Sequence, residues 1–202
     1  MKYLLLIGFL FFGNTAFSQT MKVINADDMS DTDLENIDEI VDKDGWVNII
    51  FEGENSIRNF SNKEYILTIL MNCSDNTYLP KFLIEYSKHY EDGSYAYIDF
   101  VISVSNKFTK TNFQIDEQDF GDPFSEFEKE SFMVFHQALK SGKLLTISFY
   151  DTALNPETGD HELSLNRSLD FKLANGEFLD IPVDCNVFNP SESPIEEAVD
   201  DY

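Results

Sequence analysis

The residues of this chain best suited to metal binding or acid–base chemistry are three histidines, two cysteines and a large excess of carboxylates. His89, His136 and His161 never stand three or four residues apart, and with only Cys73 and Cys185 to join them no zinc-ligand spacing forms. His136 is expected on a helix as a solvated or part-packed side chain, and His161 in a turn between Asp160 and Glu162. Neither G-x-S-x-G nor S-x-x-K occurs, so no local signature of a serine nucleophile is present. The nine glycines are dispersed in turns rather than gathered into a phosphate-binding loop. Paired carboxylates would suit a small hydrolase. With 37 Asp and Glu, however, some pair meets any required separation by chance, and this enzyme reading stands only as the alternative.

Calcium needs several oxygen ligands close together, and two acidic clusters supply them. Asp27, Asp28, Asp31, Asp33, Glu35 and Asp38 form one; Asp116, Glu117, Asp119 and Asp122 form the other and are the metal candidates. Neither follows the D-x-[DN]-x-[DN]-G loop, which favours a solvated acidic face over a cation site. No cofactor is expected, and no catalytic or binding residue is assigned. Asp151-Thr152-Ala153 resembles an acceptor triplet of some bacterial secretory O-glycosylation systems, a match short enough to arise by chance.

The N-terminus explains what the cysteines do. Lys2 precedes an apolar run from Tyr3 to Phe12, and small residues follow at Ala16 and Ser18. This is the layout of a secretory signal peptide, residues 1–18, cut before Gln19. The run is well short of the roughly 20 residues that cross a bilayer. The mature chain is therefore read as exported, periplasmic or extracellular, with no membrane span. In such a compartment two lone cysteines pair, and a Cys73–Cys185 disulfide is expected as a structural staple. Closing a loop of that length adds roughly 4 to 5 kcal/mol on a chain-entropy account.

Charge narrows the partners. The full chain has 14 Lys and Arg against 37 Asp and Glu, a net charge of −23, and the leader removes one lysine and no acid. Phosphate contacts need a basic face, so nucleic acid is excluded as a partner. A basic protein, a cation or simple solubility remain.

The elements that position these groups are mostly strands. Nineteen Phe and nine Tyr, with many Ile and Val, favour β-structure. Residues 19–45 read as a peripheral acidic arm with one short amphipathic helix after Ser30, and the core is expected to begin at Trp46. WVNIIF (46–51), EYILTILMN (64–72), 82–86, 95–104, 108–115 and LLTISFY (144–150) read as strands. Ser125 with Glu128 forms a capping box for a helix over 126–141, with Phe127, Ser131, Val134, Phe135, Ala138 and Leu139 at helical spacing. In 161–173, Leu163, Leu165, Leu169, Phe171 and Leu173 share one parity, which predicts a strand with one buried face. Asn175-Gly176 marks a turn before a last strand, FLDIPVDC. The acidic, proline-containing residues 186–202 read as a disordered tail.

Trp46, Cys73, the FMVFHQAL and LLTISFY pair, SLDFKL and Cys185 together resemble small exported β-sandwich domains of the invasion-associated locus B and type VI secretion accessory kind. Phe135, Ala138 and Leu139 match the helix of that pattern, Leu145, Thr146 and Ile147 its strand, and Leu169, Phe171 and Leu173 its alternation. The acidic arm and tail depart from it, as does the lack of an aliphatic helix before the last cysteine. The resemblance implies a β-sandwich and a late cysteine paired with an earlier one.

The resulting expectation is an all-β sandwich over 46–185 with one short α-helix and an acidic N-terminal arm. Its function is that of an exported non-catalytic binding protein for a basic partner, of inhibitor or immunity type. The alternatives are the carboxylate hydrolase and a calcium-bridged envelope component.

Overall fold

The computed structural model describes residues 21–35, 37–86, 100–102, 109–125, 127–154 and 161–186. The expected signal peptide, His89, most of the strand expected over 95–104 and the expected tail from residue 187 onward lie outside these residues.

Two sheets face one another. The first has the order β1–β2–β3–β4–β5–β6: β1 Val23–Asn25, β2 Trp46–Phe51, β3 Glu54–Asn59, β4 Tyr65–Leu70, β5 Lys81–Tyr86 and β6 Phe100–Ile102. Its pairs are antiparallel except β1 with β2, which run parallel. The second has the order β10–β9–β7–β8, all antiparallel: β7 Thr109–Ile115, β8 Gln118–Asp119, β9 Leu144–Leu154 and β10 His161–Lys172. Leu67, Ile69, Phe82 and Ile84 of the first sheet and Phe113, Ile147, Phe149 and Phe171 of the second share one buried cluster. The fold is therefore an all-β sandwich, as composition and patterning predict.

The residues expected to form a peripheral arm do more than that. Ile24 of β1, Ala26 and Val41 are buried against Val47, Ile49 and Phe60, forming a second cluster on the outer face of the first sheet. The arm carries two short helices, α1 Asp31–Glu35 and α2 Ile37–Ile40, so its helical part falls where expected after Ser30. Ser30 Oγ accepts the Asp33 backbone N–H and donates to its carboxylate, capping α1. This layer explains why WVNIIF is apolar almost throughout instead of alternating: Trp46 packs inward and Val47 and Ile49 outward, so both faces of β2 are covered. The core between the sheets starts at Trp46, and the second cluster, over the outer face of the first sheet, starts at Ile24.

Other expectations shift for identifiable reasons. Helix α3 runs Lys129–Ser141, three residues later than predicted, because Glu128 rather than Ser125 stands at the N-cap and no side chain caps it. Its buried residues are Phe132, Phe135 and Leu139, while Val134 is exposed. The predicted final strand is instead a 3-10 turn, Gly176–Asp180, followed by a single bridge of Val183 to Cys73. A strand over Glu54–Asn59, whose sequence ENSIRN has little β character, is held by its neighbours β2 and β4.

The shared parity in β10 is broken by a register shift between Leu165 and Arg167. Leu165 pairs with Tyr150 and Arg167 with Phe149, so the extra residue, Asn166, moves the pattern to the other face. Leu169 and Phe171 point into the core, whereas Leu163 and Leu165 lie on the outer face, 52% and 58% exposed. Arg167 takes an inward position, its guanidinium stacked over the rings of Tyr65 and Phe149.

Cys73 and Cys185 form the expected disulfide, with sulfurs 2.08 Å and Cα atoms 5.3 Å apart. No helix among the described residues is long and apolar enough to cross a membrane.

The 3-10 turn lies directly on the last turn of α3. Asn175, at φ 56°, turns the chain, and a Cβ built on Gly176 would stand 2.3 Å from the Lys140 carbonyl oxygen. Backbone at both ends leaves no relief. Gly176→Ala is expected to cost about 1 to 3 kcal/mol, read as a lower urea midpoint with an unchanged slope.

Candidate functional site

A groove of about 600 Å³ lies between α3 and the β4–β5 connection. Helix α3 forms one wall because its amphipathic spacing sends Phe135 and Leu139 inward and leaves Lys129, Met133 and His136 at the groove. The opposite wall, residues 71–80, is tied down near its start. Val183 donates to Asn72 and accepts from Ser74, so the chain leading to Cys185 runs beside it, and the disulfide locks the arrangement. Asp75 Oδ1 accepts the Thr77 amide at 2.8 Å and shapes the turn. Tyr78, Leu79 and Phe127 supply apolar lining, and Leu79 and Met133 stand 55% and 62% exposed at the rim. Apolar walls with a few polar groups, Asn72, Asn76, Lys129 and His136, suit the capture of an apolar side chain.

His136 is the titratable group most affected by this setting. Burial pushes its pKa below the usual 6.5, with nearby Lys140 adding to the effect; Asp180, 3.7 Å from Nε2, and a hydrogen bond with the Leu179 backbone oppose it. A histidine held neutral in the folded state binds its proton less readily than in the unfolded chain. Its contribution to stability is thus intact above pH 6.5 and is lost as pH falls from there through the folded pKa. His136→Gln is expected to flatten the fall in melting temperature between pH 6.5 and 5. An unchanged slope would assign that pH dependence to other groups.

The calcium candidates are largely committed to the backbone. Asp116, at φ 52° after β7, accepts the amides of Lys143 and Leu144 at 3.2 and 3.1 Å, tying the β7–β8 turn to the start of β9. Asp119 accepts the Gly121 amide at 2.9 Å. Asp122 accepts the amides of Phe124 and Ser125 and the hydroxyl of Thr111. Asp116 and Glu117 border a shallow hollow of about 530 Å³ that Asp119 and Asp122 do not line. Among the described residues, no three His, Cys, Asp or Glu side chains converge where a metal ion could be held. The arm acids are used similarly: Asp27 accepts the Glu52 amide, and Asp28 accepts from the Asn25 side chain. The Thr152 hydroxyl oxygen of the Asp151-Thr152-Ala153 triplet is buried.

Sequence reasoning did not find the groove. Its signal, an exposed Met133 on a helix, is indistinguishable from core spacing until the helix's inward stripe is known. No family model, curated protein or solved structure matches this chain.

Proposed function

We propose that this is an exported, non-catalytic binding protein whose acidic surface docks a basic protein, in the manner of an inhibitor or immunity protein. The observation that carries the reading is charge: 37 acids against 14 bases on a sandwich closed by one long-range disulfide. A surplus of this size draws a cationic partner in and raises its association rate, and a rigid scaffold limits the ordering cost of docking. Many acids already cap turns through one oxygen, yet a capping carboxylate keeps its charge and contributes to the long-range field.

The test is a pull-down with residues 19–202 from envelope and secreted extracts, eluted with rising salt and read by mass spectrometry. Stoichiometric recovery of one basic protein, released only at high salt, is the expected result. Recovery of nothing specific, or of an acidic protein indifferent to salt, sinks the reading.

A further inference from the structure

The geometry points to the outer edge of β10 as the place where that partner binds, by adding an extended, basic segment as a fifth strand to the second sheet. The inference rests on the electrostatic reading above and gives it a location. β10 is the terminal strand of its sheet, and among the described residues no strand lies on its other side. It is also long, at twelve residues. One end of its edge is already covered: Ser61 Oγ accepts the Lys172 amide, and the side-chain amides of Asn59 and Asn62 donate to the carbonyls of Lys172 and Asp170. These contacts show that residues 170 and 172 turn their backbone groups away from β9. Alternation along the strand gives Ser168 the same direction. The inserted Asn166 shifts the phase by one, so that Leu165 and Leu163 follow. Their N–H and C=O groups form a ladder of the kind an incoming strand completes.

The side chains say what kind of strand fits. Leu163 and Leu165 offer apolar contact on the outer face, beside Tyr150 and Thr152. Asp151 and Asp170 accept hydrogen bonds from Asn166 and Thr146, neutral groups that leave the carboxylate charges in place. Two basic side chains of β10 itself are engaged elsewhere: Arg167 stacks inward on Tyr65 and Phe149, and Lys172 pairs with Asp44 at 2.8 Å. Pairing of two β10 edges from two copies would bring these acids together in molecules that each carry a charge of −23. The occupant is therefore a basic segment with alternating apolar residues, not a second copy.

The experiment uses residues 19–202 and an eight-residue peptide alternating lysine and valine. Two controls accompany it, the same peptide with alternate backbone nitrogens methylated and a glutamate–valine counterpart. Affinity is measured by fluorescence anisotropy at low and high salt, and amide exchange by NMR. The expected result is salt-sensitive binding of the basic peptide, at least tenfold weaker after methylation, with exchange at Leu163, Leu165 and Ser168 slowed at least tenfold. Leu163→Pro, which removes an outward N–H while sparing the β9 ladder, should weaken binding as much. If that variant misfolds, the methylated peptide on the unaltered protein still decides. Salt-sensitive binding indifferent to methylation, without slowed exchange, overturns the edge site and leaves electrostatic docking standing. Equal binding of the glutamate peptide at the slowed amides overturns the basic-partner reading. Binding of neither peptide overturns the edge proposal, and the pull-down then judges the electrostatic reading alone.

Discussion

Replacing Cys73 and Cys185 together by alanine, or reducing them, is expected to lower stability by about 4 to 5 kcal/mol on the chain-entropy account. The reason lies in what the bond encloses. The cysteines are 112 residues apart, and the loop between them contains β5 through β10 and α3, hence the whole second sheet. Without the bond the unfolded chain recovers the freedom of that loop, whereas the folded chain loses a contact its neighbours partly replace. Val183 still bridges Cys73, and the amides of Ser74 and Val183 still find their backbone partners. For a domain of this size the change corresponds to a fall in melting temperature of roughly 10 to 20 °C. Calorimetry of the unaltered protein with and without reductant, beside the double-alanine variant, checks it. A variant that melts low while reductant has no effect on the unaltered protein would place the loss in the packing of buried Cys185 and not in the cross-link.

The strands most legible in the sequence are those with a single buried face or a continuous apolar run. WVNIIF is observed over the predicted residues, and LLTISFY is observed but continues to Leu154. What was illegible has physical causes. In β10 a simple parity argument places five apolar residues on one face, but an inserted residue divides them, and nothing in LSLNRSLDFKL announces the insertion. Arg167, the one break in that parity, is the position where a cation is tolerated inward because two aromatic rings receive it. Strand β3 was missed because ENSIRN owes its conformation to the partners on either side. The FLDIPVDC segment has strand-like composition, but its first three residues belong to the 3-10 turn that Gly176 seats against α3, a contact between distant residues that no local pattern encodes.

The same distinction applies to the candidate sites. Acids were legible as clusters but not as caps, because a carboxylate that holds a turn and one that waits for a cation look alike in sequence. Asp116 and Asp122 show the difference only once the amides of Leu144 and Phe124 stand beside them. The apolar arm residues were hidden for the opposite reason. Ile24 and Val41 lie far apart in an acid-rich stretch, yet parallel pairing of β1 with β2 helps to gather them over Val47 and Ile49. The acidic face and the second core are thus built from one stretch of chain, with charge outward and a few apolar side chains inward.

Phe113→Ala is expected to destabilise the fold by about 3 to 5 kcal/mol, with the damage concentrated on α3. Phe113 is fully buried on β7, where four parts of the molecule meet. Its ring contacts Phe82 of the first sheet edge-on at 5.0 Å, Phe124 of the segment before α3 at 5.2 Å and Phe135 of α3 at 5.6 Å. Phe82 and Phe124 also touch each other, so removing Phe113 leaves a cavity bordered by rings that are already packed and free to collapse only in part. A double-mutant cycle with Phe82→Ala should return a coupling of about 0.5 to 1.5 kcal/mol, the part of the cost specific to the ring pair. Leu165→Ala, another large apolar side chain but 58% exposed, should stay within about 0.5 kcal/mol. The contrast tests the register shift itself: were Leu165 on the buried face that its sequence parity suggests, its truncation would cost several times more. Hydrogen exchange should show the α3 amides opening first in Phe113→Ala, and with them the wall of the groove that carries Met133 and His136. If α3 stays protected while the sheets open, the helix is held by Phe132 and Leu139 alone, and Phe113 joins only the two sheets.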